Sequence, residues 1–248
     1  IARAAALGAE VTVACATRGE AGEVVPGHPV QGDLGAVRET ELRRAAARLG
    51  VARVHLLGYR DSGFDGELPP RSLCAAPVPA VAGVLAQLVH DLDPIVVVVL
   101  DGSDGHRDHR HIRAAVHEAL RTAGDGGGGG AQLYEHCLPN SLMRRWLEEM
   151  RSLRPGTAYH ALDPAGLGRD DREITHVVDA SAVLEQREAA MAEHSSQASP
   201  FDGLSDDLRR AFLTTDSLVR VAVPPIGLPL NGTTPLASPS TPRPGDPR

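Results

Sequence analysis

The chain has 248 residues and a formal net charge of −7, and all of its Lys/Arg complement is arginine. That length supports one sizeable core, or a domain with a tail. The acidic balance gives no reason to expect nucleic acid or an acidic membrane surface as a partner. No apolar run approaches the roughly 20 residues of a membrane span, and no signal-peptide pattern is visible, so a cytoplasmic protein is expected. Cys15, Cys74 and Cys137 lie far apart without CxxC spacing. They read as reduced thiols rather than a disulfide frame or a zinc knuckle.

The first residues, 1–8, read as the last turns of a helix stopped by Gly8. A strand over 10–16 follows, then the polar loop 17–23, whose Glu20 and Glu23 are candidates for substrate contact or for a solvated turn. Residues 24–35 read as a long loop. A helix is predicted over 37–49, with Leu42, Ala45, Ala46 and Leu49 as its apolar stripe. Arg38, Glu39 and Glu41 in its first turns suggest a solvated face with local ion pairs. A strand over 53–58 delivers Asp61 to its loop, where an Asx turn into Gly63 is the structural alternative to a binding role. A helix over 80–92, with Val81, Val84, Leu85 and Leu88 inward, precedes Asp93-Pro94.

The run Ile95-Val-Val-Val-Val-Leu100 reads as a strand buried on both faces. It feeds the stretch from Asp101 to His111, which holds His106, Asp108 and His109, and then a helix with Ile112, Ala115, Val116, Ala119 and Leu120 on one face. Two imidazoles flanking a carboxylate at a strand's carboxyl end suit metal binding or proton transfer, with Asp108 orienting a ring through its N–H. A helix cap with solvated histidines is the alternative. In open α/β sheets this edge is where ligands bind. Further strands are predicted over 131–138, 173–179 and 217–223, and helices over 141–153, 182–193 and 205–213. The helix–strand alternation argues for a Rossmann-like, mostly parallel, doubly wound sheet over 1–223. Residues 224–248, rich in Pro, Gly, Ser and Thr, read as a disordered tail. The glycine run at 124–130 lacks the spacing and the preceding strand of a dinucleotide site.

Several small motifs recur in one order: Gly8-x-x-Val11, Thr17-x-Gly-Glu-x-Gly22, Arg38-x-x-Glu-Leu42, Leu49-Gly50, Arg60-Asp-Ser-Gly63, Gly105-His-x-Asp-His109 and His194-x-Ser-Gln197. In order and spacing this resembles the PIG-L/LmbE-type zinc-dependent N-deacetylases. The resemblance implies hydrolysis of the acetamide of an N-acetylglucosamine-type conjugate. It makes His109 a zinc ligand, His106 the group that stabilises the oxyanion or protonates the leaving amine, and Asp108 its orienting carboxylate. Glu20, Arg38 and Asp61 fall where the family contacts substrate, and His194 where it shapes the pocket. A zinc-bound water, with its pKa near 7, is the nucleophile such a site supplies.

Two departures stand out. The family's opening strand, ending Ala-His-Pro-Asp-Asp-Glu, supplies two further zinc ligands and the general base. It is absent here, the one His-Pro pair being His28-Pro29. The chain as written is therefore expected to lack the sheet's first strand, to bind zinc weakly and to be inactive. A non-catalytic relative that binds a sugar conjugate or a protein partner is the alternative. Second, Arg107 replaces the usual proline of His-Pro-Asp-His, and Asp104 stands where some members carry tyrosine.

Overall fold

The computed structural model describes residues 1–28, 32–123, 130–156 and 158–222. The elements run α1 (Ala2–Ala6), β1 (Thr12–Cys15), α2 (Leu34–Arg48), β2 (Arg53–Leu56), α3 (Val78–Leu92), β3 (Val96–Leu100), α4 (Arg107–Ala123), β4 (Gln132–Cys137), α5 (Asn140–Leu153), β5 (His176–Asp179), α6 (Leu184–Ala192), α7 (Asp206–Thr214) and β6 (Thr215–Val221). The expected alternation holds. Helix α2 begins three residues before its predicted start because the Asp33 side chain caps it, accepting from Gly35 N at 2.9 Å. The proposed tail, 224–248, lies outside the described residues.

The strands form two sheets. β1 and β2 pair in parallel, Thr12 opposite Arg53 and Cys15 opposite Leu56. The second sheet has the order β3-β4-β6-β5, in which β3 and β4 are parallel while β6 is antiparallel to both β4 and β5. The α/β architecture is therefore as expected, but its sheet is mixed where a mostly parallel one was predicted. The antiparallel pairs come from the C-terminal third, where β5 and β6 are not joined by simple crossovers.

Both faces of the larger sheet receive helices. Arg113 and His117 of α4 reach Glu135 on one face. Arg187 of α6 reaches Asp216 on the other, the face to which register assigns His136 and Leu218. The main core lies on the α4 side, where Val81 and Leu85 of α3, Val99, Ala115, Ala119 and Leu133 are buried and Ala16, Leu57 and Tyr59 pack against them. The α4 stripe is the one periodicity indicates. On α3, Val84 is exposed instead of inward, and Val78, Val81, Ala82, Leu85 and Val89 make the contact. A second cluster joins Met143 and Met150 of α5 to Leu204, Leu208 and Phe212 around α7.

The expectation that β3 is buried on both faces fails. Val97 and Val99 face the core, whereas Val96, Val98 and Leu100 are 48, 54 and 43% exposed. Continuous hydrophobicity reports that a strand suits burial on two sides, and among the described residues only one side of β3 is covered. Among the described residues, the outer edge of β3 and both outer edges of the β1-β2 pair also carry no strand. Exposed apolar edges recruit other chains. These 248 residues are accordingly expected to self-associate in a concentration-dependent way. Val98→Lys should shift light scattering toward the monomer without lowering the unfolding midpoint, since no core contact is lost.

Glu135 has no exposed surface, and it is held by Arg113 Nε (2.6 Å), His117 Nε2 (2.7 Å) and Arg169 Nη1 (3.4 Å). Burial pushes its carboxyl up, but Arg113 and then His117 outweigh that and hold it below the usual glutamate range. Its stabilisation is present above the unfolded value of about 4.3 and is lost as pH falls through the lowered native one. Glu135→Gln should cost about 2 kcal/mol at pH 7. It should also flatten the acid limb of a urea-denaturation series run from pH 7 to 3.

Candidate active site at the carboxyl ends of β1, β2 and β3

The loops after β1, β2 and β3 converge. Ala21 N, after β1, donates to Asp61 Oδ2 at 3.4 Å. Ser62 N, after β2, donates to Asp108 Oδ2 at 3.0 Å. Arg107, at the start of α4, donates to the carbonyls of Gly63, Asp65 and Gly66. These bonds bring Glu20, Asp61, His106, Asp108 and His109 to one end of the molecule.

His106 immediately precedes α4. Its Nδ1 accepts from the Asp108 backbone N–H at 3.2 Å, so the imidazole caps the helix. With Nδ1 occupied as acceptor, the neutral ring carries its proton on Nε2. The Nε2–H is then a donor available outside the helix. His109 lies beside it, ring centroids 4.8 Å apart.

The His109 Nδ1 bonds Asp104 Oδ2 at 2.5 Å. That bond, opposed by burial and reinforced by the charges of Asp104, Asp108 and Asp61, raises the His109 pKa above its ordinary value. Burial alone would raise the Asp104 carboxyl; its bond to His109 and the charge there reverse the sign and hold it low. A carboxylate on one imidazole nitrogen leaves the other nitrogen oriented for a metal or a proton acceptor.

Asp108 is buried, but its carboxylate is not on a histidine ring as expected. Oδ2 takes the Ser62 N–H and Oδ1 takes the Cys74 thiol at 3.2 Å. The His106 ring is oriented by the Asp108 backbone instead. Asp61 makes the Asx turn, accepting from Gly63 N at 2.8 Å, and its second oxygen holds the β1 loop through Ala21. Gly63 sits at φ 72°, a conformation open to glycine at little cost. Glu20 is half-buried, and its carboxylate accepts from Arg18 N.

Arg38 and Glu41 are buried, not solvated as their sequence cluster suggested; only Glu39 keeps the i,i+4 pair, with Arg43 at 2.9 Å. The Arg38 guanidinium donates to the carbonyls of Gly19, Gly22 and Glu23 and to Ser196 Oγ. Glu41 accepts from Ser196 N and Oγ, each at 2.8 Å, and from Ser195 Oγ at 3.1 Å. Burial raises the Glu41 carboxyl, but the bonds from Ser196 and Ser195 bring its net pKa below the ordinary value. The structure thus joins the Arg38-x-x-Glu motif to the loop after α6. His194 sits at the rim of this junction, its Nδ1 3.2 Å from Gln197. Glu41, Ser62 and Cys74 escaped notice as site-shaping residues. The one signal for Glu41 was its place in that motif.

A hydrolytic zinc site takes three protein ligands. Among the described residues no three His, Cys, Asp or Glu side chains gather to hold a metal. The Asp104–His109 pair fits one corner of such a site, and the complete set is not present. Burial and then Asp101 push the Cys137 thiol up to about 11. No described helix is long and apolar enough to cross a membrane.

Residues 1–120 match the family model described as PIG-L, GlcNAc-PI de-N-acetylase. A 1D-myo-inositol 2-acetamido-2-deoxy-alpha-D-glucopyranoside deacetylase of Thermobispora bispora is 34% identical over 238 residues, covering 86% of this chain and 79% of that one. The enzyme of that name from Thermobifida fusca is 34% identical over 218 residues, covering 79% of this chain and 76% of that one. In fold, the chain is similar to the N,N'-diacetylchitobiose deacetylase of Pyrococcus horikoshii, with TM-score 0.56 and 19% identity over 89% of this chain and 76% of that one. A conserved protein of Thermus thermophilus gives TM-score 0.57 and 22% identity, covering 90% and 86%. With a third of its residues identical to relatives it spans over most of their length, the chain belongs to the PIG-L family of de-N-acetylases, which are amide hydrolases.

Proposed function

We propose that the chain acts on the acetamide of an N-acetylglucosamine conjugate, with an inositol glycoside as the first substrate to test. The observation that carries this reading is the His106–His109 pair at the convergent strand ends, in a chain whose relatives are named for that deacetylation. Amide hydrolysis builds negative charge on the carbonyl oxygen and then needs a proton on the departing nitrogen. The neutral His106 ring can steady the oxyanion through its Nε2–H. To serve as the acid for the amine it must first take a proton on Nδ1, releasing the Asp108 N–H, so that loss of the Nε2 proton returns a neutral imidazole. His109, held by Asp104 on Nδ1, is suited to ligate zinc through its other nitrogen. Asp108 positions α4, and with it both histidines, by its bonds to the β2 loop. Glu20 borders the sugar from the β1 loop, while Asp61 and Arg38 fix the loops that enclose it. His194 closes the rim.

The finer reading is that these 248 residues hold zinc weakly and turn over slowly. One imidazole ligand does not make a three-ligand site. A strand laid parallel between the open edges of β1 and β3 would end beside His109 and bring further ligands there. The second reading is a sugar-binding protein without catalysis, prompted by the observation that among the described residues no three metal-ligating side chains gather.

Acetate release and bound zinc would be measured for the chain alone and for a fusion carrying a relative's His-Pro-Asp-Asp-Glu strand before Ile1. The fusion should hold about one zinc per chain and release acetate, and the chain alone should do neither well. Within the fusion, His109→Ala should abolish both. His106→Ala should keep the metal and lower kcat by about 10²–10⁴-fold. Robust turnover by the unfused chain would overturn the one-ligand reading. A fusion that binds the sugar but neither metal nor turnover would favour the binder.

A further inference from the structure

Arg107 occupies the first position of α4, where proline is favoured and where the resembled family usually has it. The helix has no need of an arginine there. What the arginine does instead is local: Nε donates to Gly63 O at 2.8 Å, Nη2 to Asp65 O at 2.8 Å and Nη1 to Gly66 O at 3.0 Å. One planar fork therefore ties three carbonyls of the β2 loop to the helix that carries His109.

The side chain at the centre of that clamped loop is Phe64. It is 64% exposed, so it contributes little to the core. Its ring meets His106 edge-on, centroids 5.7 Å apart and planes at 76°. Gly105 lies against the end of the ring, where a Cβ would sit in ordinary contact at 3.7 Å; its φ of 87°, and not the ring, is what calls for glycine. A rigidly held, solvent-facing aromatic beside the proposed proton donor offers an apolar wall to whatever is bound at His106. The C–H face of a sugar ring is the part of the substrate that such a wall suits.

We infer that Phe64 is the aromatic wall against which the substrate's sugar ring packs, and that Arg107 is the positioning residue that holds it there. This rests on the reading of the site as one for N-acetylglucosamine conjugates. The test is equilibrium binding of methyl N-acetyl-α-D-glucosaminide to the full chain by calorimetry and ligand-observed NMR, which needs no turnover.

Phe64→Ala should weaken binding about tenfold, and Phe64→Trp should stay within about twofold. Arg107→Pro should weaken it as much as Phe64→Ala while leaving helicity unchanged, because proline suits that helix position. Arg107→Gln, the second variant, should do the same. Adding Phe64→Ala to Arg107→Pro should cost nothing further, since one wall cannot be lost twice. If the unaltered chain binds the sugar and Phe64→Ala binds it equally well, the inference fails and the site reading stands. If Phe64→Ala weakens binding but both Arg107 variants bind like the unaltered chain, the positioning role is overturned. If the unaltered chain does not bind the sugar, the same variants are compared in the fusion; binding by neither overturns the site reading and the inference with it.

Discussion

The buried carboxylate of Asp108 is the constraint on which the site depends. It lies at the first turn of α4 and accepts the Ser62 amide and the Cys74 thiol. A charge taken out of water costs several kcal/mol unless it is fully bonded. Only one placement of α4 against the β2 loop satisfies it, and that placement also fixes His106, one turn-start away, and His109 on the same helix. The negative charge at a helix N-terminus is favoured by the helix dipole as well. The bond network makes Asp108 the peg on which the two imidazoles hang.

The same device recurs on the other side of the site. Glu41 of α2 is buried and takes three bonds from Ser195 and Ser196, while Arg38, one turn earlier, takes the carbonyls of the β1 loop. Helix α2 thereby holds two segments that are remote in sequence, the loop at 19–23 and the loop after α6. In each case a buried charged group is satisfied by backbone and side-chain groups of segments outside its own helix. Loops lack the ladders that fix strands, so bonds of this kind are what give a loop a single shape.

The fold was legible where periodicity carries it. Ala115, Val116, Ala119 and Leu120 lie inward on α4 as their spacing indicates, and the β–α alternation placed His106 and His109 at a strand's carboxyl end. The failures share a cause. Arg38 and Glu41 resemble any solvated charge cluster because their partners, Ser195 and Ser196, lie about 155 residues downstream. Asp108 was assigned to a histidine because the histidines are its neighbours in sequence, whereas its true partners come from the β2 loop and Cys74. Phe64 carries no pattern at all, since an exposed aromatic after a Gly-bearing turn gains meaning only when Arg107 is seen to clamp it. Local patterns report local structure; the chemistry of this site is set by contacts between loops.

The hydrophobic run of β3 and the Asp104–His109 pair point to one place. Val96, Val98 and Leu100 have the composition of a strand covered on both faces, yet one face and one edge are open. That edge runs toward Asp101 and the His106 loop, where His109 is bonded to Asp104. A sequence that spends five consecutive apolar residues on a strand is written for burial, and a histidine bonded to a carboxylate at 2.5 Å is written for a partner on its other nitrogen. Under the proposed reading, an extended segment paired with the β3 edge would close that ladder and carry ligating side chains toward His109, whereas covering Val96, Val98 and Leu100 takes a layer packed on the open face of the sheet.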